Sequence, residues 1–191
     1  MEYNGNIGNF SADTLLEEGI ILLNGVIDGG LAQRVVCQLL YLEKKYPARP
    51  IQLFINSPGG EVNAGMAIYD AMNYVSVEVQ TVGIGCAASM AAFLLSSGTR
   101  GKRCALPNTE VLIHQPLGGA QGQAEDIIIA AKHIERTRDR LNAILAKNTG
   151  KSIKRIAEDT DRDYVLYADE AREYGIIDQV IDTIPKAWRK Q

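Results

Sequence analysis

Between Val77 and Leu95 the sequence changes character once, and that change limits what the rest of the chain can be. Val77 to Val82 alternates as a half-buried strand does. Gly83-Ile84-Gly85-Cys86-Ala87-Ala88-Ser89 then crowds small residues together, and Met90-Ala91-Ala92-Phe93-Leu94-Leu95 runs on as an apolar, helix-like segment. A strand that turns sharply into a helix needs small side chains at the corner, because the two backbones approach closely there. The polar side chain at that corner is Ser89. Two readings are open. The serine either caps a buried helix, or it is presented as a nucleophile above the positive end of that helix.

The remaining chain supplies strands and helices in alternation. Gly19 to Leu23 reads as a short apolar strand ended by Asn24-Gly25, and Asp28-Gly29-Gly30 opens an amphipathic helix carrying Leu31, Val35, Val36, Leu39, Leu40 and Leu42. Ile51 to Ile55 is a second strand, broken by Asn56-Ser57-Pro58-Gly59-Gly60. The next helix presents Val62, Met66, Ile68, Tyr69, Met72 and Val75. Val111 to His114 forms a further strand. A helix of unusual length runs from about Gln123 to Asn148 and stops at Thr149-Gly150, long enough to project from a small domain and pack against something else. Ser152 caps a short helix, Asp159 to Leu166 is a polar loop running into a strand, Ala168 to Tyr174 is a last helix closed by Gly175, and Ile176 to Ile181 is a last strand. This order predicts an α/β fold with largely parallel strands and a site at their carboxyl ends. Residues 18–184 are expected to form one domain, with a handle at about 117–148, between an N-terminal segment at 1–17 and a polar tail at 185–191.

Composition narrows the function. With 191 residues and a net charge of −3, the chain suits one sizeable core and offers nothing to recommend nucleic acid as a partner. The first residues, Met1-Glu2-Tyr3-Asn4-Gly5, do not read as a secretory signal, and no apolar run reaches the ~20 residues that span a bilayer. Cys37, Cys86 and Cys104 are odd in number without metal-ligand spacing, and read as reduced core thiols of a cytoplasmic protein.

The Gly59-Gly60 turn, Ser89 and His114 all fall at carboxyl ends of predicted strands or just after them. Together they suit acyl transfer. A serine hydroxyl needs a base to take its proton, a neutral imidazole can do so, and a carboxylate on the other ring nitrogen fixes the tautomer. Backbone N–H groups at Gly59-Gly60 and at Met90 could hold an oxyanion. Each feature also has a plainer reading: Pro-Gly-Gly as a tight turn, His114 as a structural histidine. His133, between Lys132 and Glu135-Arg136, reads as a solvated-face residue. Eight aspartates follow His114, and spacing leaves open which of them would orient it.

Four motifs, Ile55-Asn56-Ser57-Pro58-Gly59-Gly60, Gly85-Cys86-Ala87-Ala88-Ser89-Met90-Ala91, His114-Gln115-Pro116-Leu117-Gly118-Gly119 with Gln121-Gly122-Gln123, and Asp159-Thr160-Asp161-Arg162-Asp163, closely resemble the proteolytic subunit of the Clp proteases, the ClpP family. The resemblance implies a crotonase-like ββα-superhelix with a protruding handle helix. It implies a serine endopeptidase that degrades unfolded polypeptides inside two stacked heptameric rings, fed by an AAA+ unfoldase that hydrolyses ATP, the subunit itself binding no ATP, no metal and no other cofactor. It places Ser89 at the nucleophile, His114 at the base and Asp163 at the orienting acid, with Gly60 and Met90 N–H groups as the oxyanion hole. Glu61, Val62, Leu117, Gly118 and Gly119 would hold an extended substrate, and Asp161 and Arg162 would bridge the rings. Phe54, Tyr74, Val82, Ile84, Leu106 and Ile181 would form the cleft in which the unfoldase docks.

The chain departs from that family at several points. Asn9 to Asp13 lacks the usual pore segment, Gln52 and Cys104 stand where aromatic residues are usual, Ala91 replaces a glycine, and Glu61 replaces a small or apolar residue beside the oxyanion loop. The departures in the pore segment and docking cleft motivate an alternative, a paralogous structural or regulatory subunit of a mixed barrel with little activity of its own, partnered by a second ClpP-like chain. A third reading, an acyl-CoA enzyme of the crotonase kind, would not need the His114 and Asp163 pair.

Overall fold

The computed structural model describes residues 14–183; the N-terminal departures at Asn9 to Asp13 and the tail at 185–191 lie outside them. Seven strands join in one sheet: β1 (Ile20–Asn24), β2 (Ile51–Ser57), β3 (Val79–Ala88), β4 (Arg103–Ala105), β5 (Glu110–Ile113), β6 (Tyr164–Tyr167) and β7 (Gln179–Val180). The helices are α1 (Gly29–Lys45), α2 (Val62–Tyr74), α3 (Met90–Ser96), α4 (Ala124–Thr149), α5 (Ile153–Asp159) and α6 (Ala168–Tyr174). This is the mixed α/β architecture expected of the ClpP fold.

Strands β1, β2, β3, β4 and β7 lie side by side and parallel, each pair joined through helices that cover the sheet. The caps form where short polar side chains precede apolar runs. Asp28 accepts a hydrogen bond from the Leu31 N–H at 2.7 Å, and Ser152 accepts one from Arg155 at 3.1 Å. Each satisfies an N–H that the first helical turn leaves without a partner. On α1 Leu31, Ala32, Val35, Leu39 and Leu42 are buried and Val36 is half-buried, whereas Leu40, expected on the apolar face, is exposed. Cys37 falls on the opposite face and is exposed, so it is not a core thiol; Cys104 is buried and Cys86 only partly so.

Strand β3 governs the topology. Its ten residues are longer than the expected strand at Val77 to Val82, because Gly83 to Ala88 stays extended instead of turning. The first half, Thr81 to Gly83, pairs with β4, while the second half, Cys86 to Ala88, pairs with β5. Between the halves Gly85 takes φ +69°, and the register against β2 shifts between Ile55 and Ser57. Such a bulge bends a strand and re-aims the residues beyond it. The sheet therefore forks at Gly85, and the carboxyl half of β3 carries its own small sheet of β5 and β6. Strand β6 is the antiparallel exception among strands expected to be largely parallel.

Helix α3 is buried all round, from Met90 at 2% exposure through Leu94 and Leu95 at 0%. A short helix with no solvent face is held by packing on every side. Helix α4 behaves oppositely. Leu141, Asn142, Leu145 and Ala146 near its carboxyl end are buried, whereas Ile127, Ile128 and Ile129 in its first turns stand exposed. The long helix expected from the sequence is present, at Ala124–Thr149, and its apolar tip lacks cover among the described residues.

Candidate active site

Ser89 joins the end of β3 to the start of α3, with φ 56° and ψ −122°. Among the described residues it is the one non-glycine with positive φ. Such a conformation costs about 1–3 kcal/mol for a residue with a Cβ, and it persists only where the surroundings fix it. They do so here: its N–H donates to the Leu112 carbonyl on β5 at 2.8 Å, and its carbonyl accepts the first helical bond of α3, from Phe93, at 3.1 Å. The hydroxyl makes no capping bond to α3. It lies instead 2.9 Å from Nε2 of His114.

His114 follows the last residue of β5, and the other nitrogen of its ring, Nδ1, is 2.9 Å from Oδ1 of Asp163. The pairing of β5 with β6 produces this contact. The strands are antiparallel with Ile113 opposite Tyr164, so one step beyond that pair sets His114 against Asp163. An ionised carboxylate only accepts, so the neutral ring carries its proton on Nδ1 and leaves Nε2 free to accept from the serine hydroxyl. The histidine side chain is 19% exposed and the aspartate 70% exposed.

Two N–H groups were expected to hold the oxyanion, those of Gly60 and Met90. The isolated bridge between Ile27 and Gly60 uses the Gly59 carbonyl and the Glu61 N–H, at 2.8 Å each, so the Gly60 N–H takes no part in it. The Met90 N–H is the first of α3 and has no partner within the helix. Gly59 permits this approach. A Cβ at Gly59 would meet the Ala88 carbonyl oxygen at 2.6 Å and the Ser89 Cβ at 2.7 Å, and its φ is +92°. The Pro58-Gly59-Gly60 turn is therefore pressed against the serine corner, which goes beyond a mere reversal of the chain.

Beside Ser89 and His114 opens a narrow pocket walled by Val62, Phe93, Ile113, Pro116, Leu141 and Leu145. Apart from Ser89, His114 and Asn142 its lining is apolar, and it suits an uncharged side chain. Leu117, Gly118 and Gly119 run past it in an exposed, irregular segment, and Leu117 is 86% exposed. Of the residues expected to hold substrate, Glu61, Val62 and Leu117 line one adjoining cleft and Val62 also lines the Ser89 pocket, whereas Gly118 and Gly119 line neither.

The other expected residues lie elsewhere. Asp161 and Arg162 pair with each other at 3.7 Å on the surface, and Gln115 donates to the Asp161 carbonyl at 2.9 Å, tying that loop to the residue after His114. Leu22, Phe54, Val82 and Cys104 form one row across β1, β2, β3 and β4. In that region Phe54, Ile84, Leu106 and Ile181 are half-buried and Tyr74 is 80% exposed, but Val82 and Cys104 are at 0% exposure. Val82 thus supports this face from beneath and presents no surface of its own. Burial, with the Asp178 charge nearby, pushes the Cys104 thiol up to about 11, so it stays protonated at neutral pH.

Sequence reasoning passed over one polar cluster. Arg103, buried on β4, donates to Asp178 through Nε at 2.9 Å and Nη2 at 2.6 Å. Its Nη1 donates to the carbonyls of Ser96, Asn148 and Gly175, at the carboxyl ends of α3, α4 and α6. One guanidinium thus fills three helix ends that would otherwise carry unpaired carbonyls. The signal available in the sequence was only an arginine inside an apolar run, Arg103-Cys104-Ala105-Leu106.

The model of the Clp protease family matches residues 5–184 of this chain.

Proposed function

The chain belongs to the Clp protease family, and we propose that it is a serine endopeptidase in which Ser89 is the nucleophile, His114 the base and Asp163 the orienting acid. One observation carries the proposal: both ring nitrogens of His114 are engaged at 2.9 Å, one by the Ser89 hydroxyl and the other by the Asp163 carboxylate. A subunit of purely structural role would need neither contact, and an acyl-CoA enzyme that relies on backbone N–H groups alone would not need the pair.

The chemistry runs in two halves. His114 Nε2 takes the Ser89 proton as Oγ attacks the scissile carbonyl, and the negative charge formed on that oxygen is held by the Gly60 and Met90 N–H groups. The imidazolium, stabilised by Asp163, then gives its proton to the departing amine, leaving an acyl-serine. Water repeats the cycle: His114 removes its proton, the hydroxide adds to the ester, and Ser89 leaves with the proton returned.

The wider reading is that the chain assembles into two stacked heptameric rings, works in the cytoplasm with an AAA+ unfoldase, and cleaves unfolded polypeptides in the enclosed chamber. The exposed isoleucines at the tip of α4 and the exposed Asp161 and Arg162 support it, because they offer surface for contacts between copies. Three unpaired thiols are consistent with a reducing compartment, and no helix among the described residues is long and apolar enough to cross a membrane. Digestion of a permanently unfolded protein tests the core of the proposal. The wild-type chain, under conditions in which it assembles, cleaves it and Ser89→Ala does not; equal cleavage by both would refute the assignment.

A further inference from the structure

A second space of about 330 Å³ adjoins the Ser89 pocket, sharing Val62 and Pro116 with it, and is lined also by Glu61, Asn63, Leu117, His133, Ile134 and Thr137. Three segments build it: the start of α2, the loop after β5, and one face of α4. His133, Ile134 and Thr137 fall on that face because positions three and four apart on a helix are neighbours. His133 is exposed, as its charged neighbours suggested, yet it is turned into this cleft.

The cleft combines apolar walls with one full charge. Val62, Pro116, Leu117 and Ile134 line its sides, and Glu61 is the acidic residue among the lining groups. Glu61 stands at the N-cap position of α2 but makes no side-chain capping bond there, and its carboxylate has no hydrogen-bond or ion-pair partner among the described residues. A solvated acid beside aliphatic walls matches a side chain with an apolar stem and a cationic tip, which is the make-up of lysine and arginine.

The cleft adjoins the Ser89 pocket, and this limits which substrate residue it meets. In an extended peptide, side chains two residues apart point the same way and lie about 6–7 Å from each other. With the residue before the scissile bond in the Ser89 pocket, the residue two places earlier reaches the adjoining cleft. We propose that Glu61 makes this cleft a subsite selecting lysine or arginine at the third residue on the amino-terminal side of the cut. The inference rests on the peptidase reading given above, since it supposes a peptide held along the same groove.

Binding and cleavage test it separately. Three peptides, identical apart from lysine, norleucine or glutamate at that third residue, carry methionine before the scissile bond and a fluorophore at the far end. Their affinity for full-length Ser89→Ala protein is read by fluorescence anisotropy. The lysine peptide is expected to bind at least about tenfold more tightly than the norleucine peptide, with glutamate weakest. Adding Glu61→Gln brings the lysine-to-norleucine ratio close to one, and Glu61→Lys reverses the order of lysine and glutamate. Equal affinities in the Ser89→Ala protein, absence of binding by all three, or a ratio that survives Glu61→Gln overturns the subsite. Cleavage of the same peptides by the chain with Ser89 intact reports on the parent reading. Preferential binding of lysine without any cleavage contradicts the peptidase and supports the subsite; equal cleavage of all three supports the peptidase and contradicts the subsite.

Discussion

Two of the molecule's pairs of an aspartate with a basic side chain are built on opposite lines. At Arg103 and Asp178 the pair is buried, the arginine side chain at 6% exposure and the aspartate at 19%. Nearly every polar atom is used, with Asp178 also accepting from the Gly101 and Arg103 backbone N–H groups at 2.7 and 3.0 Å. At His114 and Asp163 the acid is 70% exposed and the serine beyond the histidine sits in a strained backbone conformation. The first arrangement resists change, because breaking it would leave a buried charge without a partner. The second keeps a hydroxyl poised against an imidazole, where proton transfer needs only a small movement. Helix α3 connects them: Ser89 precedes its first residue, and the carbonyl of Ser96, its last, is held by Arg103. The stable cluster fixes one end of the element whose other end carries the reactive residue.

Substitutions that separate the two clusters should give unlike results, and the largest effect belongs to the site. Ser89→Ala is expected to lower peptide cleavage by at least roughly a thousandfold, while thermal stability does not fall; assay and calorimetry on one preparation check both. Asp163→Asn should come next, with a loss on the order of a hundredfold or more through the wrong tautomer of His114. Its stability should stay within about 0.5 kcal/mol of wild type, because the side chain is exposed. A large stability loss there would show that the two clusters are less different than their burial implies.

Asp178→Ala inverts the pattern. Removing one partner of a buried pair costs about 3–5 kcal/mol, to be measured by denaturant unfolding. Any loss of cleavage should track the unfolded fraction and the loosening of α3. A smaller effect of opposite sign distinguishes Ser89→Gly. Glycine accepts φ 56° without the Cβ penalty, so stability should rise by about 1 kcal/mol as activity disappears.

Acid should find the buried cluster last. Burial raises the Asp178 carboxyl, but hydrogen bonds from the Arg103 side chain and backbone, its charge, and the Gly101 N–H more than offset this and hold it below the ordinary aspartate value. A group that binds its proton less tightly when folded contributes stability that is present in full above the ordinary aspartate range. That contribution is lost as pH falls through the depressed folded value. Unfolding free energy of wild type should therefore fall below about pH 4 more steeply than that of Asp178→Asn. Parallel curves would remove Asp178 from the account.

The same contrast explains what the sequence made legible. Local signals were readable: the caps at Asp28 and Ser152, the stop at Gly150, and the length of α4 all arise from short-range patterns. The family resemblance named Asp163, but spacing alone could not choose among eight aspartates after His114. The choice lies in the antiparallel register of β5 and β6, which is a long-range pairing. The fork of β3 at Gly85 was hidden for a related reason, since small residues serve a bulged strand and a turn equally well. Arg103 gave no signal because its partners are backbone carbonyls from three distant helix ends. His133 was read from its neighbours in sequence, whereas its role as a wall of the cleft comes from the loop after β5.

The central claim is that the Ser89 hydroxyl is activated by His114, and covalent labelling tests it most directly. Assembled wild-type protein treated with a fluorophosphonate should gain a single adduct, mapped by peptide mass spectrometry to Ser89. His114→Ala should slow its formation by roughly a hundredfold or more. An adduct elsewhere, none at all, or labelling of Ser89 at an unchanged rate in His114→Ala would contradict it.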